Sequence, residues 1–569
     1  MNKPFRMWAL TCAVLALQIL AACALRAQET GQQERIITAT VRGRVLNKIT
    51  NEPIARALVT HGNEYATLTN DHGQFEFKMV ERLAPASPGA SYVSTQYLEA
   101  KKPGFLEQRK AATYQYREGG ATEPQSDVTI YLLPEALIVG HVNVPGSEGD
   151  VRIECELYRR RLQNGRMAWA PAGSFTSWTD GEFRFSGLEA GTYKLITNEQ
   201  MDSESMIPMP GAPLFGYPPI YYPNTTDFSA ATPIVVRAGE TAQLNFSVAR
   251  RQYYPVHIPV GNPPATPHMV LNVHPTGHSS PGWSLGYNPA DEAIEGMLPD
   301  GTYTVEASTF PIAPSSGVVN FSVKGAPTEG SPLRLIPDSP LTVTVREEFQ
   351  SEQNAQTKIM TPNGPRPMPD VNVRLVPMEE FQSFNEFNRT RPTESSDEHT
   401  LLFENVGPGR YKVRVSSPRG YAASIESGGA DLLHQPLVIG LGGGTPPIEI
   451  TMRDDGAEVS GTVEETKDSR ANSQPGDPNR PFRFVYLLPL GDSVLEDPPV
   501  TQFQGDSFTL QQVPPGTYQV LVYPDALGDL PYGDDAAMDA LKSKGQIIQV
   551  EAAQKISVKV KMITEGEGE

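Results

Sequence analysis

Four stretches hold residue types at spacings that can do chemistry. His61-Gly-Asn-Glu64 sets a histidine and a glutamate at a spacing that can share a zinc ion. Zinc chemistry also needs a third protein ligand and an open position. No third ligand accompanies the pair, so an exposed strand-edge histidine is the simpler reading. Gly282-Trp-Ser-Leu-Gly286 matches the G-x-S-x-G nucleophile elbow. That elbow works between a strand and a helix, where the serine stands over an oxyanion hole, and here Pro289 follows at once. Gly440-Leu-Gly-Gly-Gly444 has the glycine density of a phosphate cradle. Pro446-Pro447 and a strand pattern follow it rather than a helix N-terminus, which predicts a flexible strand connection. Asp525, Asp529, Asp534, Asp535 and Asp539 could converge on calcium, but no D-x-D-x-D-G loop is present. Residues 534–544 read more simply as a short helix, acids first and lysines last, as the helix dipole prefers. These readings predict no catalytic residue, no metal site and no cofactor.

Two further groups bear on binding. Phe215, Tyr217, Tyr221 and Tyr222 crowd a proline-rich stretch. Sugars stack on exposed aromatic faces, so these four are the candidate glycan contacts, and that role requires solvent-facing rings with a shared orientation. The competing expectation is that they plug a seam between strands, as aromatics usually do. Cys155, in Val151-Arg-Ile-Glu-Cys-Glu-Leu157, is the one cysteine beyond residue 23. A disulfide framework is excluded, and Cys155 reads as a small core residue.

A repeated phrase must position all of these. It reads Thr179-Asp-Gly-Glu-Phe-Arg-Phe-Ser-Gly-Leu-Glu-Ala-Gly-Thr-Tyr193 in its fullest copy and recurs around Tyr303, Tyr411 and Tyr518. Pairs of apolar residues precede each turn (Phe183/Phe185, Leu401/Phe403, Phe508/Leu510), and only the copy at 303 lacks them, with Ala293 and Glu295 instead. Apolar residues two apart, a Pro-Gly or Asp-Gly turn, then alternation through Tyr411, Val413 and Val415 predict two half-buried strands joined as a hairpin. The tyrosine is expected to pack and to tie its hydroxyl to nearby backbone. The spacing of the copies is that of a whole small domain.

The chain has 569 residues, 52 prolines, 49 glycines and a formal net charge of −19. Such acidity argues against nucleic acid or an anionic membrane as partner. Residues 1–27 read as a targeting segment: Lys3 and Arg6, an apolar run from Met7 to Leu20, then small residues. Leu20-Ala21-Ala22-Cys23 resembles a bacterial lipobox, in which the cysteine is lipidated, while Ala22-Cys23-Ala24 or Ala27 would suit an ordinary signal peptidase. Both cleavages stay open. The expected location is periplasm, outer-membrane surface or medium, with membrane contact only through lipid on Cys23. A tether at 28–35 leads to five segments, 36–135, 136–250, 251–336, 340–453 and 456–563. Each opens on an apolar alternating strand, such as Ile138-Val-Gly-His-Val142. In the last strand, Ile556, Val558, Val560 and Met562 should face inward, with lysines outward.

The first segment carries Val41-Arg-Gly-Arg-Val45, Pro53-Ile-Ala-Arg-Ala-Leu-Val59 and Asp71-His-Gly-Gln-Phe-Glu-Phe77. These motifs, in this order, resemble the carboxypeptidase regulatory-like family. The resemblance extends well to the second, fourth and fifth segments and weakly to the third. It implies an all-β chain of about five tandem Ig-like or transthyretin-like β-sandwich modules, grouped with starch-binding-like sandwiches. The reading that the whole sequence supports is a non-catalytic, exported envelope scaffold or binding protein whose partner is an envelope protein or polysaccharide. Glycan capture is the second reading and an enzyme the third.

Overall fold

The computed structural model describes residues 35–83, 91–117, 128–145, 151–163, 165–202, 213–264, 268–278, 282–309, 314–350, 357–361, 364–368, 371–378, 391–392, 400–464, 482–490, 498–524, 526–527, 530–532, 538–539 and 541–563. The targeting segment, Cys23 and the tether as far as Glu34 lie outside the described residues, as do Asp525, Asp529, Asp534 and Asp535. Regular structure among the described residues is nearly all strand, and no helix there is long and apolar enough to cross a membrane. Close contacts divide the chain into two units. The described residues of Met1–Val139, Arg184–Gly191 and Val235–Gln243 form the first, and Gly140–Phe183, Thr192–Ile234 and Leu244–Glu569 form the second.

The chain is a series of tandem β-sandwich modules, here numbered 1 to 5. In module 1 one sheet runs Gln74–Leu83, Arg35–Asn47, Val128–Leu132, and the other runs Tyr65–Leu68, Leu58–His61, Ser91–Lys101, Gln108–Arg117. Val41, Val45, Val59, Phe75, Leu98, Ala100, Ile130 and Leu132 fill the space between them. The three-strand order of the first sheet returns in each later module. It is Glu182–Leu188, Ala136–Asn143, Thr241–Ser247 in module 2, and Ser507–Val513, Ala457–Glu464, Lys555–Lys561 in module 5. Module 4 repeats it with Thr400–Val406, Ser339–Glu348 and Ile448–Arg453, and module 3 with Ala293–Pro299, Arg251–Pro259 and the short Thr328–Glu329. The opening strand always lies in the middle, paired on both edges, and buries one of its two faces. The last strand of module 5 alternates as its sequence predicts: Val558 and Val560 are buried, and Lys555 and Lys559 pair outside with Glu458 and Glu464.

The repeated phrase does not fold as a hairpin. Its two strands lie in opposite sheets in all four copies. Glu182–Leu188, Ala293–Pro299, Thr400–Val406 and Ser507–Val513 belong to one sheet of their module. Gly191–Thr197, Gly301–Thr309, Gly409–Ser416 and Gly516–Tyr523 belong to the other. Alternating apolar residues report one buried face and do not say from which side the core is reached, so pattern alone cannot separate a hairpin from a sheet-crossing corner. The tyrosine locks this corner. Tyr303, Tyr411 and Tyr518 each donate a hydroxyl hydrogen bond to the carbonyl four residues back, of Pro299, Gly407 and Pro514, at 2.9, 2.9 and 2.8 Å. Each such bond contributes about 1 kcal/mol. The copy in module 3 still forms its strand, with Ala293, Ile294 and Leu298 buried.

A size rule links the opening strand to the phrase. Gly43 pairs with Phe75 and Gly461 with Phe508. A Cβ on Gly461 would run into the Phe508 ring, and one on Gly43 or Gly140 would meet the Phe75 or Phe183 ring at 2.6 or 2.5 Å and, closer still, the carbonyl oxygen of Val128 or Leu244. Where module 4 has Val343 at this place its partner is Leu401, and in module 3 Pro259 faces Ala293. A large residue on one strand is matched by a small one opposite. Gly461→Ala should therefore cost about 1–3 kcal/mol through overpacking, and adding Phe508→Leu should recover part of that loss. Urea denaturation of the single and double variants checks this, and losses that simply add would sink it.

Candidate functional site

The aromatic stretch and the G-x-S-x-G motif, 60 or more residues apart, meet at one place. After the strand Gly191–Thr197 the chain leaves the sheets of module 2. Gln200–Met201 and Leu214–Tyr217 instead extend the module 3 sheet, pairing outward from Arg251–Pro259. The G-x-S-x-G turn of module 3 closes over this crossing. The Glu199 amide donates to the Gly282 carbonyl at 3.2 Å, and Gly282, at φ +106, lies against Pro219. That positive φ disfavours any side chain, and a Cβ would also crowd Pro219 at 3.1 Å, which favours glycine here.

Glu199 is the centre of the seam. The Ser284 hydroxyl and the Ser284 amide both donate to Glu199 Oε2, at 2.9 and 3.2 Å. Burial pushes the carboxyl up to about 7, against the pull of those two bonds. The Tyr253 hydroxyl stands close enough to weigh on its titration, yet neither that hydroxyl nor Glu199 Oε1 has a well-formed hydrogen bond. Burial, and then the Glu199 charge, raise both Tyr253 and Tyr303. Trp283 packs edge-on against Tyr303, ring centres 5.3 Å apart. Beside this cluster Arg250 Nε donates to Asp202 Oδ2 at 2.6 Å while its guanidinium lies 4.3 Å from the centre of the Phe215 ring.

This geometry decides what the motif can do. A nucleophilic serine needs a base that withdraws its proton and a donor aimed at the developing oxyanion. The Ser284 hydroxyl does reach a carboxylate that could take its proton, but the Ser284 amide is turned to that same oxygen rather than to an oxyanion position, and a strand, Gly286–Asn288, follows in place of a helix. The pair joins modules 2 and 3.

The four aromatic candidates do not share an exposed face. Tyr221 is fully buried, edge-on to Phe228 at 5.6 Å, and its backbone bridges Ile196 and Thr225. Tyr217 is 1% exposed within its strand. Phe215 is half-buried beneath Arg250, and Tyr222 is half-buried against Phe246. Their assignment as glycan contacts is therefore corrected for Tyr217 and Tyr221, whose rings have no face left for a sugar. Phe215 and Tyr217 lie on the strand that joins the module 3 sheet, whereas Tyr221 and Tyr222 pack back onto module 2, against Phe228 and Phe246.

The remaining motifs sit as follows. His61 ends its strand with Nδ1 3.1 Å from the Tyr97 carbonyl and its ring stacked on Tyr65, and Glu64 lies in the turn beyond. Gly442, Gly443 and Gly444 all adopt positive φ in the connection from Leu437–Ile439 to Ile448–Arg453, strands of opposite sheets. Asp539 is exposed and pairs with Lys542, which opens a 3-10 turn at Lys542–Lys544. Met538, Asp539 and Leu541 are helical just before it. Cys155 is fully buried, and burial, with the charge of Glu154, pushes its thiol up to about 12. Among the described residues no three His, Cys, Asp or Glu side chains are placed to hold a metal ion. Sequence reasoning missed Glu199, because a glutamate in Thr197-Asn-Glu-Gln200 carries no local sign that its partner is 85 residues away.

No family model matches the chain, and no curated protein matches it. Among solved structures, the Bacillus anthracis TIE protein is 10% identical over 74% of this chain and 68% of its own, with a TM-score of 0.14. A streptococcal ancillary pilin is 10% identical over 53% of this chain and 100% of its own, with a TM-score of 0.17. The shaft pilin SpaA from Lactobacillus rhamnosus GG is 10% identical over 38% of this chain and 98% of its own, also at 0.17. Scores at this level carry no argument about what this chain does.

Proposed function

We propose that this chain is an exported, non-catalytic scaffold or binding protein of the cell envelope, built from β-sandwich modules of the carboxypeptidase regulatory-like kind. The observation that carries the reading is the Glu199 seam. The motif with the outline of a nucleophile elbow serves, by this reading, to join two modules. Scaffolds need junctions that resist bending, and a sheet extended by the preceding module's chain supplies one through backbone hydrogen bonds. Smaller junction contacts recur further on. The Ser316 hydroxyl donates to Asp338 Oδ1 at 2.8 Å, and the Tyr421 hydroxyl donates to Asp455 Oδ1 at 2.9 Å. The size rule supports the module class, since Gly43 and Phe75 belong to the motifs that carry the resemblance. Export rests on Lys3, Arg6 and the apolar run from Met7 to Leu20. Attachment, by this reading, runs through an acylated Cys23.

Limited proteolysis with mass spectrometry tests the proposal. Modules 2 and 3 should survive together as a fragment spanning residues 136–337, while cleavage between other modules comes first. Early cutting between residues 218 and 250 that frees the two modules separately would contradict a built junction. The same spectra give the mature N-terminus: acylated Cys23, or an unmodified start near Leu25 or Gln28, supports export, and retained Met1 opposes it.

A further inference from the structure

We infer that module 1 carries a docking groove for an acidic protein segment bearing apolar side chains. The groove has a volume of about 380 Å³ and is lined by Arg56, Leu58, Lys101, Lys102, Pro103, Phe105 and Glu107. Its floor is apolar. Leu58 faces outward, 38% exposed, and pairs across strands with Leu68, 55% exposed, while Pro103 and Phe105 close the other end. Cations stand on the rim, and they are unequally engaged. Lys101 is held by Glu107 at 2.9 Å and Glu99 at 4.0 Å. Lys102 reaches only the Arg56 carbonyl, at 3.4 Å, and among the described residues neither Lys102 nor Arg56 has a carboxylate partner.

Arg56 is held in a costly conformation. Its φ is +55, where glycine or asparagine is the usual occupant. The buried Thr69 fixes it there: the Arg56 amide donates to the Thr69 carbonyl, the Ala57 amide to the Thr69 hydroxyl, and that hydroxyl to the Ile54 carbonyl. Strain of this kind persists only where the surroundings impose it.

Charge complementarity points to the occupant. Residues 36–135 carry eleven cationic and eleven anionic side chains, whereas residues 136–569 carry 32 and 53. Module 1 is thus the neutral part of an acidic chain, with two uncompensated cations over an apolar floor. A neutral sugar would want carboxylate and amide acceptors, and the single carboxylate in the groove is tied to Lys101. A membrane would want a protruding apolar edge, and this surface is concave. Carboxylates on the rim and an apolar side chain on the floor satisfy both features at once.

The test titrates the purified chain with a fluorescent peptide of alternating glutamate and leucine, at low salt. Saturable binding is expected, weakened about tenfold or more by Lys102→Glu and by Arg56→Gly, and lost with glutamine in place of glutamate. Arg56→Gly removes the cation while relieving the backbone, so its thermal midpoint should not fall. Lys102→Glu alters a half-buried rim group and provides an independent variant. Absence of saturable peptide binding overturns the proposal. So does binding that both variants leave intact. Retention of phosphatidylglycerol vesicles or polyuronate fragments in place of the peptide, abolished by the same variants, also overturns it and assigns the groove to a membrane or a polysaccharide.

Discussion

Tyr221→Ala should lower stability by about 3–5 kcal/mol, the scale of a large buried side chain removed from a packed site. The ring has no exposed surface, and it packs with Tyr158, Ile196, Phe228 and Ala231 in a small cluster of its own. The Lys194 ammonium donates to the Phe228 carbonyl at 2.6 Å and lies 4.5 Å from the Phe228 ring, so the cavity would open beside a buried charge. Tyr222→Ala, at a half-buried ring, should cost clearly less. Urea denaturation of both variants measures the difference, and equal, small losses would mean that the crossing is loosely packed.

Glu199→Gln should raise stability at neutral pH and flatten its dependence on pH. The carboxyl titrates near 4.5 when unfolded and is pushed up to about 7 when folded, by burial first, with the Ser284 hydrogen bonds opposing. Between those values the folded state holds a proton that the unfolded state has released. Stability from this group is therefore highest below about pH 4.5 and falls as pH rises toward 7, after which the penalty stays constant. The full penalty is on the order of 3 kcal/mol. The groups shown to face the carboxyl are Ser284, Tyr253 and Tyr303, none of which supplies a cation at neutral pH. Glutamine keeps the acceptor for Ser284 and removes the charge. Denaturation midpoints of parent and variant from pH 4 to 8 isolate the group, and curves that run parallel would show that Glu199 is not the source.

The sequence makes the strand content, the recurrence of the phrase and the inward faces legible, because period-two alternation reports burial directly. Gly43, Gly140 and Gly461 stand inside apolar strands, but nothing local says which residue faces each of them. The sheet-crossing corner is hidden, because a turn between two half-buried strands looks the same whether they pair or face each other. Burial of Tyr217 and Tyr221 is hidden for another reason. Their segment has no period, so nothing local says which rings face the core. Glu199 with Ser284, and Arg56 with Lys102, are pairs made by tertiary pairing alone. The strand register that sets Leu58 beside Lys101 is what brings the last two cations to one rim.

The parallel pairing of opening and closing strands has a mechanical meaning. In modules 1, 4 and 5 the opening strand enters at one end of the pair and the closing strand leaves at the other, over five, six and seven residue pairs. A pull on the chain through such a module loads those hydrogen bonds in shear, all together, rather than opening them one by one. In module 3 the parallel ladder on the opening strand is two residue pairs long, Val256 with Thr328 and His257 with Glu329, with one separate parallel bridge beyond it, Val260 with Leu333. Under tension these four modules are thus graded, and among them the third has the shortest continuous ladder, next to the seam where the preceding module lends it two strands.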